Sequence, residues 1–149
     1  MSKAAVLDMR AVEHVDASAH TLSSIVTLLG RACFSAIFLD AVPHHFRAQT
    51  IAYAAGHGVP MASVLVPASG VMVGLGAASV LFGFRARLGA WLLVAFLVPV
   101  TLVMHAFWAE GDPVQAALQQ GMFLKNLSVL GGALLITRFG SGPMSLDRH

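Results

Sequence analysis

Four apolar stretches alternate with short polar ones along this chain. They run roughly over residues 22–42, 61–82, 88–108 and 117–137. A helix needs about 20 mostly apolar residues to cross the hydrocarbon core of a bilayer, because only an internally hydrogen-bonded backbone is tolerated there. Each stretch meets that length. The pattern predicts an all-α integral membrane protein: a cytoplasmic segment over 1–21, an antiparallel four-helix transmembrane bundle over 22–137, and a cytoplasmic tail over 138–149. The joints agree. Residues 83–87 are too few for anything but a tight turn, and AEGDPVQ supplies Asp112 and Pro113 as the cap and first residue of the last helix. Between the first two spans lies PHHFRAQTIAYAAGHGVP, expected as a surface hairpin whose Phe46, Ile51 and Tyr53 lie along the interface.

Charge sets the expected direction of the bundle. Four crossings put the amino terminus, the second connection and the carboxyl terminus on one side, which collects Lys3, Arg10, Arg85, Arg87, Arg138 and Arg148, against Arg47 alone in the opposite loops. Loops rich in Lys and Arg stay in the cytoplasm, so both termini are expected there, in a bacterial inner membrane. The first helix is its own expected targeting signal, since the acidic start of the chain does not resemble a cleavable signal peptide.

Composition narrows the function. The chain is 57% hydrophobic and 11% charged, and its nine Lys and Arg residues are scattered, which argues against nucleic-acid binding. A single cysteine, Cys33, excludes an intrachain disulfide, a CxxC redox pair and a thiolate zinc cage. No metal site and no intrinsic cofactor are expected.

Small residues mark the expected packing faces. Gly70, Gly74 and Ala78 recur every fourth residue on the second span, and Gly121, Lys125, Ser128 and Gly132 share one face of the fourth, a face expected to point inward. Pro67 and Pro99 each remove a backbone donor in mid-membrane and read as packing kinks.

Lys125 is the residue that most demands an explanation. It stands about 12 Å inside the outer end of the fourth helix, at about 1.5 Å per residue. A charge near the bilayer centre costs from about 2.5 to more than 10 kcal/mol, so the amine must snorkel, pair or lose its proton. Asp40 and His105, from two other helices, fall at similar depth, and Asn126 is adjacent. Glu110 and the His44–His45 pair are placed to close the mouth of a polar pocket, with Trp108 as an interfacial anchor. Such a pocket serves a ligand or a proton pathway; equally, an Asp40–Lys125 pair serves only to fix helix register. Arg31, in the inner part of the first helix, is expected to reach lipid headgroups with its long stem.

These residues carry a family pattern. Leu29-Gly30-Arg31, the HAFW at His105–Trp108, the FLKNL at Phe123–Leu127 followed by Gly131 and Gly132, and the closing GSGPMSLD together resemble the DoxX family over about residues 30–147. The resemblance implies a four-helix bacterial membrane protein, with relatives described as a membrane subunit of thiosulfate:quinone oxidoreductase or as redox-associated partners. It places Arg31, His105, Trp108, Lys125 and Asn126 at matching positions. It departs at Met72, where many relatives have glutamate, at Asp40, where small residues are commoner, and at His44–His45, which look particular to this chain. The function it implies is a membrane subunit associated with a quinone-linked oxidoreductase. In that reading His105 and Lys125 donate to a quinone carbonyl, and Asp40 or Glu110 passes protons. The alternative is a non-catalytic accessory subunit bound to other membrane proteins; a small transporter or lipid-binding protein ranks below both.

Overall fold

The computed structural model describes the backbone over residues 3–147 and side chains over 18–147. Lys3, Arg10 and Arg148, on which the expected charge asymmetry partly rests, lie outside the described side chains. Every regular element is helical among the described residues: α1 (Lys3–Ala41), α2 (Ala48–Gly56), α3 (Ala62–Phe82), α4 (Ala86–Met104) and α5 (Pro113–Phe139), with 3-10 turns at Val42–Phe46 and Phe107–Ala109. Four segments are long and apolar enough to cross a membrane: Ser18–Phe46, Ala62–Phe82, Ala86–Ala109 and Pro113–Phe139.

Helix ends follow the local chemistry. Asp112 accepts hydrogen bonds from Val114 N and Gln115 N, both at 2.8 Å, with Pro113 in the first turn. That side-chain cap satisfies donors that no carbonyl of α5 can reach, so the helix starts at Pro113 as the sequence predicts, ahead of the apolar span that begins near 117. Between α3 and α4 the chain turns through Gly83 and Arg85, both left-handed at φ 64° and 50°. Ser79 Oγ closes this turn by donating to Phe84 O at 2.6 Å.

The core is a seam between α3 and α4 that α1 and α5 cover. Val73, Ala77 and Val80 of α3 and Ala90, Leu93 and Leu97 of α4 meet Phe38 of α1, with Val129, Leu130 and Ile136 of α5 packed against them. Small residues bring the two central backbones together: a methyl added at Gly76 would come 2.9 Å from the Gly89 carbonyl oxygen. Between apolar helices in lipid, such close approach supplies the dispersion contact that water-driven burial cannot.

The first crossing is the part of the fold that sequence reading misses. The length of α1 alongside the bundle is short: Thr27 sits beside Gly142, Arg31 beside Gly83, and by Val42 the chain is already level with Gly74 in the middle of α3. The 3-10 turn Val42–Phe46 then lies on Gly70, and α2 continues along the first turns of α3 through Ala54, Ala62 and Val66. PHHFRAQTIAYAAGHGVP is therefore not a hairpin standing clear of the bundle. Gly70 explains why: a Cβ there would come 2.6 Å from His45 Cβ, so its absence is what lets the turn seat on the helix. The Gly70–Gly74 seam does meet a neighbour, the end of α1 and this turn.

A second correction concerns α5. Gly121, Lys125 and Ser128 are exposed, Gly132 alone of that face packs, against Phe34 of α1, and Asn126 and Ala133 are the buried residues of this helix. The face that packs is Asn126, Val129, Leu130, Ala133 and Ile136, about one residue's rotation from the small and polar face expected to point inward. A bilayer does not punish large apolar side chains for facing either way, so the small-polar stripe was not a sufficient guide.

Candidate functional site

The predicted cluster does not assemble around Lys125. Its amine donates to Met122 Sδ at 3.5 Å, one turn back on its own helix, and the side chain is exposed. Asp40 and Glu110 are exposed too, and among the described residues no ion pair joins either of them to Lys125. Asn126, the neighbour of Lys125, points the other way, 9% exposed in the helix interface. Among the described residues no three His, Cys, Asp or Glu side chains converge as a metal site would require.

His105 is held elsewhere. It ends α4, and its Nδ1 donates to Gln119 Oε1 of α5 at 2.8 Å. Gln119 Nε2 in turn donates to Tyr53 Oη of α2 at 3.2 Å, and the Tyr53 ring lies 4.1 Å from that of His57. This chain of contacts clasps α2, α4 and α5 at one end of the bundle. Beside it Phe107, Trp108 and Phe123 form an edge-to-face cluster with centroids 5.1–5.8 Å apart, Trp108 staying 59% exposed as an interfacial anchor would.

Next to this clasp lies a cavity of about 550 Å³ between the 3-10 turn with α2 on one side and α3 and α4 on the other. Its walls are apolar, with Val66 and Met72 from α3 and Phe96, Val100 and Met104 from α4. The polar side chains on its lining are His45, Thr50 and Ser69. His45 is half-buried: its Nδ1 meets the Ala41 carbonyl at 2.9 Å, and its ring is tilted against Phe96 at 5.5 Å. Pro99 also lines the cavity, together with Ala95, whose carbonyl is the one Pro99 leaves without an N–H. Of the residues expected at a pocket mouth, His45 reaches this cavity and His44 is exposed. Thr50, Ser69, Tyr53 and Gln119 were missed. The Pro43-His44-His45 break in an apolar segment is the signal that points to them, because a helix interrupted at depth can be tolerated where it lines a cavity.

The other end of the bundle carries a second polar arrangement. Arg31, expected to reach headgroups, is 5% exposed, and its Nη2 donates to Met144 O at 2.5 Å. The tail folds back over it: Leu146 N and Asp147 N donate to Phe82 O and Gly83 O at 3.1 and 2.7 Å. Asp147 then accepts from Arg85 N at 2.7 Å and Ala86 N at 3.2 Å, capping α4 from 61 or more residues away. Arg31 Nε and Nη1 and the fully buried Ser35 Oγ have no hydrogen-bond partner among the described residues. A guanidinium under the carbonyl-rich turn is reached by the tail, not by lipid.

With this geometry in view, comparison with known proteins places the chain. Residues 60–149 match the profile of the SURF4 family. The chain is 36% identical over 72 residues to the Surfeit locus protein 4 homolog of Drosophila melanogaster, covering 47% of this chain and 26% of the fly protein. It is 36% identical over 73 residues to inner membrane protein YqjF of Escherichia coli, covering 49% of this chain and 52% of that one. With inner membrane protein YphA of E. coli it shares 32% identity over 101 residues, covering 67% of this chain and 71% of the relative. The matched stretch thus spans about a quarter of the fly protein and about half of YqjF. No solved structure matches the chain. The DoxX resemblance is corrected by these findings: HAFW, FLKNL and GSGPMSLD, three of the four motifs behind it, fall inside the stretch that the SURF4 profile covers. Short motifs in and around apolar helices do not discriminate between families of similar architecture. Since that profile accounts for more than half of its length, and four of its segments suit a bilayer crossing, this chain is a multi-pass integral membrane protein belonging to the SURF4 family.

Proposed function

We propose that this protein binds an apolar, membrane-dissolved molecule in the cavity between α2, α3 and α4. The observation that carries this reading is the cavity itself: about 550 Å³, apolar walls, and a few polar groups gathered where the first crossing breaks. Pockets of about 300–1,000 Å³ with this division of labour are typical of small-molecule sites, the walls supplying burial and the polar groups orientation. An isoprenoid quinone is one molecule of this class. The link to a quinone-dependent oxidoreductase rested on the DoxX resemblance and loses its support with it. The four spans alternate in direction in this reading. The tail end of the bundle, which carries Arg85, Arg87 and Arg138, faces the cytoplasm, as the excess of basic residues favours. The names of YqjF and YphA support the bacterial inner membrane as its location.

Mass spectrometry of organic extracts tests the binding reading. The purified protein is expected to carry at least one apolar species enriched over the surrounding lipid, and Ala95→Phe, which puts a ring on the cavity wall, is expected to remove it. No enrichment, or equal enrichment in both proteins, refutes it.

One observation favours a second reading, an accessory subunit of a larger membrane complex. Lys125 lies exposed on a face with Gly121 and Ser128, and an intramembrane lysine that meets no carboxylate among the described residues suits a carboxylate on a partner. Cross-linking from a photoreactive residue at position 122 would yield one defined partner if it holds, and only lipid adducts if it does not.

A further inference from the structure

The polar lining of the cavity is unbalanced, and the imbalance says what kind of head a ligand must have. Start with His45. A backbone carbonyl oxygen can only accept, so the 2.9 Å contact with Ala41 O requires that Nδ1 carry the hydrogen. In the neutral ring that fixes the tautomer, and Nε2, on the far side of the imidazole from the backbone, is left as a lone pair with no partner among the described residues. Ser69 follows the same logic. Its hydroxyl hydrogen is committed to Val66 O at 2.7 Å, so its oxygen has only lone pairs to offer. Ala95 lines the cavity too, and its carbonyl counts as a third acceptor on the chemical ground that Pro99, one turn on, has no N–H to return to it. Against these three acceptors stands one hydroxyl hydrogen, that of Thr50.

We infer that the cavity selects an apolar chain ending in a hydrogen-bond donor, a hydroxyl head received by His45 Nε2, over the same chain ending in a carbonyl or an ether. This deepens the proposed function and rests on it. The physical reason is asymmetric. A hydroxyl gives its hydrogen to an acceptor that has no partner among the described residues, whereas a carbonyl or ether oxygen facing His45 Nε2 leaves two lone pairs opposed and neither group satisfied. It also reverses the chemistry expected from the sequence, in which a quinone carbonyl accepts from His105 and Lys125. The reduced, hydroxyl-bearing form of a quinone fits this lining; the oxidised form does not. A lipid alcohol such as a monoacylglycerol offers the same group.

A matched pair of photoprobes tests the inference on the full chain in lipid nanodiscs: a long-chain alcohol with a mid-chain diazirine, and the methyl ether of the same molecule. Adducts on the peptides holding Met72, Phe96 and Val100 are counted by mass spectrometry. The alcohol is expected to label them about three- to tenfold more than the ether, the range that one net neutral hydrogen bond supports. His45→Phe is expected to abolish the preference, so that alcohol and ether label these peptides to the same extent. Equal labelling by the two probes in the unsubstituted protein, or more by the ether, overturns the selection for a donor while leaving the cavity a binding site. Labelling of these peptides by neither probe overturns the proposed function itself. The pair needs no variant, so the inference stays testable if His45→Phe does not fold. A short-chain quinol and a monoacylglycerol, added as competitors, separate the two natural sources: displacement by either supports the hydroxyl class and names its origin, and displacement by neither overturns it.

Discussion

The two ends of this bundle solve the same problem, tying helix ends together, with opposite chemistry. At the tail end a backbone turn, a buried guanidinium and a carboxylate interlock: Arg31 holds Met144 O, Asp147 caps α4, and Gly83 leaves no room for anything more. At the other end one neutral side-chain relay, His105 to Gln119 to Tyr53, spans the gap beside a cavity of about 550 Å³. Charged hydrogen bonds to backbone groups are roughly twice as strong as neutral ones, and side-chain relays on exposed helix ends open readily. The tail end is therefore the fixed end, and the relay end, beside the cavity, is the one that opens more readily.

The largest expected effect breaks the fixed end. Gly83→Val places a β-branched residue at φ 64°, and its Cβ overlaps Ser145 and the Arg31 side chain. Left-handed strain and overpacking act together, so a loss of about 3 kcal/mol or more is expected. Thermal unfolding in mild detergent reads it. A variant as stable as the parent would show that the tail does not sit on this turn. Asp147→Ala comes next. It removes two hydrogen bonds to the backbone donors of Arg85 and Ala86, with an expected cost of about 1–2 kcal/mol, and it frees the tail for limited proteolysis within residues 140–147. Unchanged cleavage would contradict the latch.

The relay end is expected to respond differently. Gln119→Leu removes both links of the relay at once, since Gln119 accepts from His105 and donates to Tyr53. Stability should fall by only about 0.5–1.5 kcal/mol, because these groups are near enough to the surface to find water or headgroups instead. Amide exchange in α2 should nevertheless rise several-fold while exchange around Gly83 stays as it was. Uniform acceleration at both ends would abolish the distinction between them.

How much of this was legible beforehand depends on whether the signal was local. The spans, the Asp112–Pro113 start of α5 and the contact along Gly70 and Gly74 were all readable, since length, capping chemistry and missing Cβ atoms act within a turn or two. The cavity was not. It depends on where α1 stops alongside α3, and nothing in the hydropathy of Ser18–Phe46 says that the bundle begins only near Thr27. Arg31 was legible as an anomaly but not as a contact, because its partner lies 113 residues away in a tail that looks like an ordinary polar terminus. His45 was named for its place in the sequence, and the structure gives it a different reason to matter.

Lys125 gives the smallest expected effect and the sharpest test of that lesson. The energetic premise was sound: an amine at this depth calls for an acceptor or a route to the headgroups. The error was to assume that depth along the helix fixes direction around it, so that Asp40 and His105 had to be what the amine meets. One residue separates exposed Lys125 from buried Asn126, a turn of about 100° at 3.6 residues per turn, so any misreading of the packed face moves the amine from the core to the perimeter. In the isolated protein Lys125→Met exchanges a 3.5 Å contact with Met122 Sδ for ordinary apolar contact and should shift stability by no more than about 0.5 kcal/mol. Asn126→Leu, which alters the packed face, should cost more. If instead Lys125→Met destabilises the purified monomer more than Asn126→Leu does, the amine has an acceptor within its own chain, and the packed face of α5 is the one the small-residue stripe suggested.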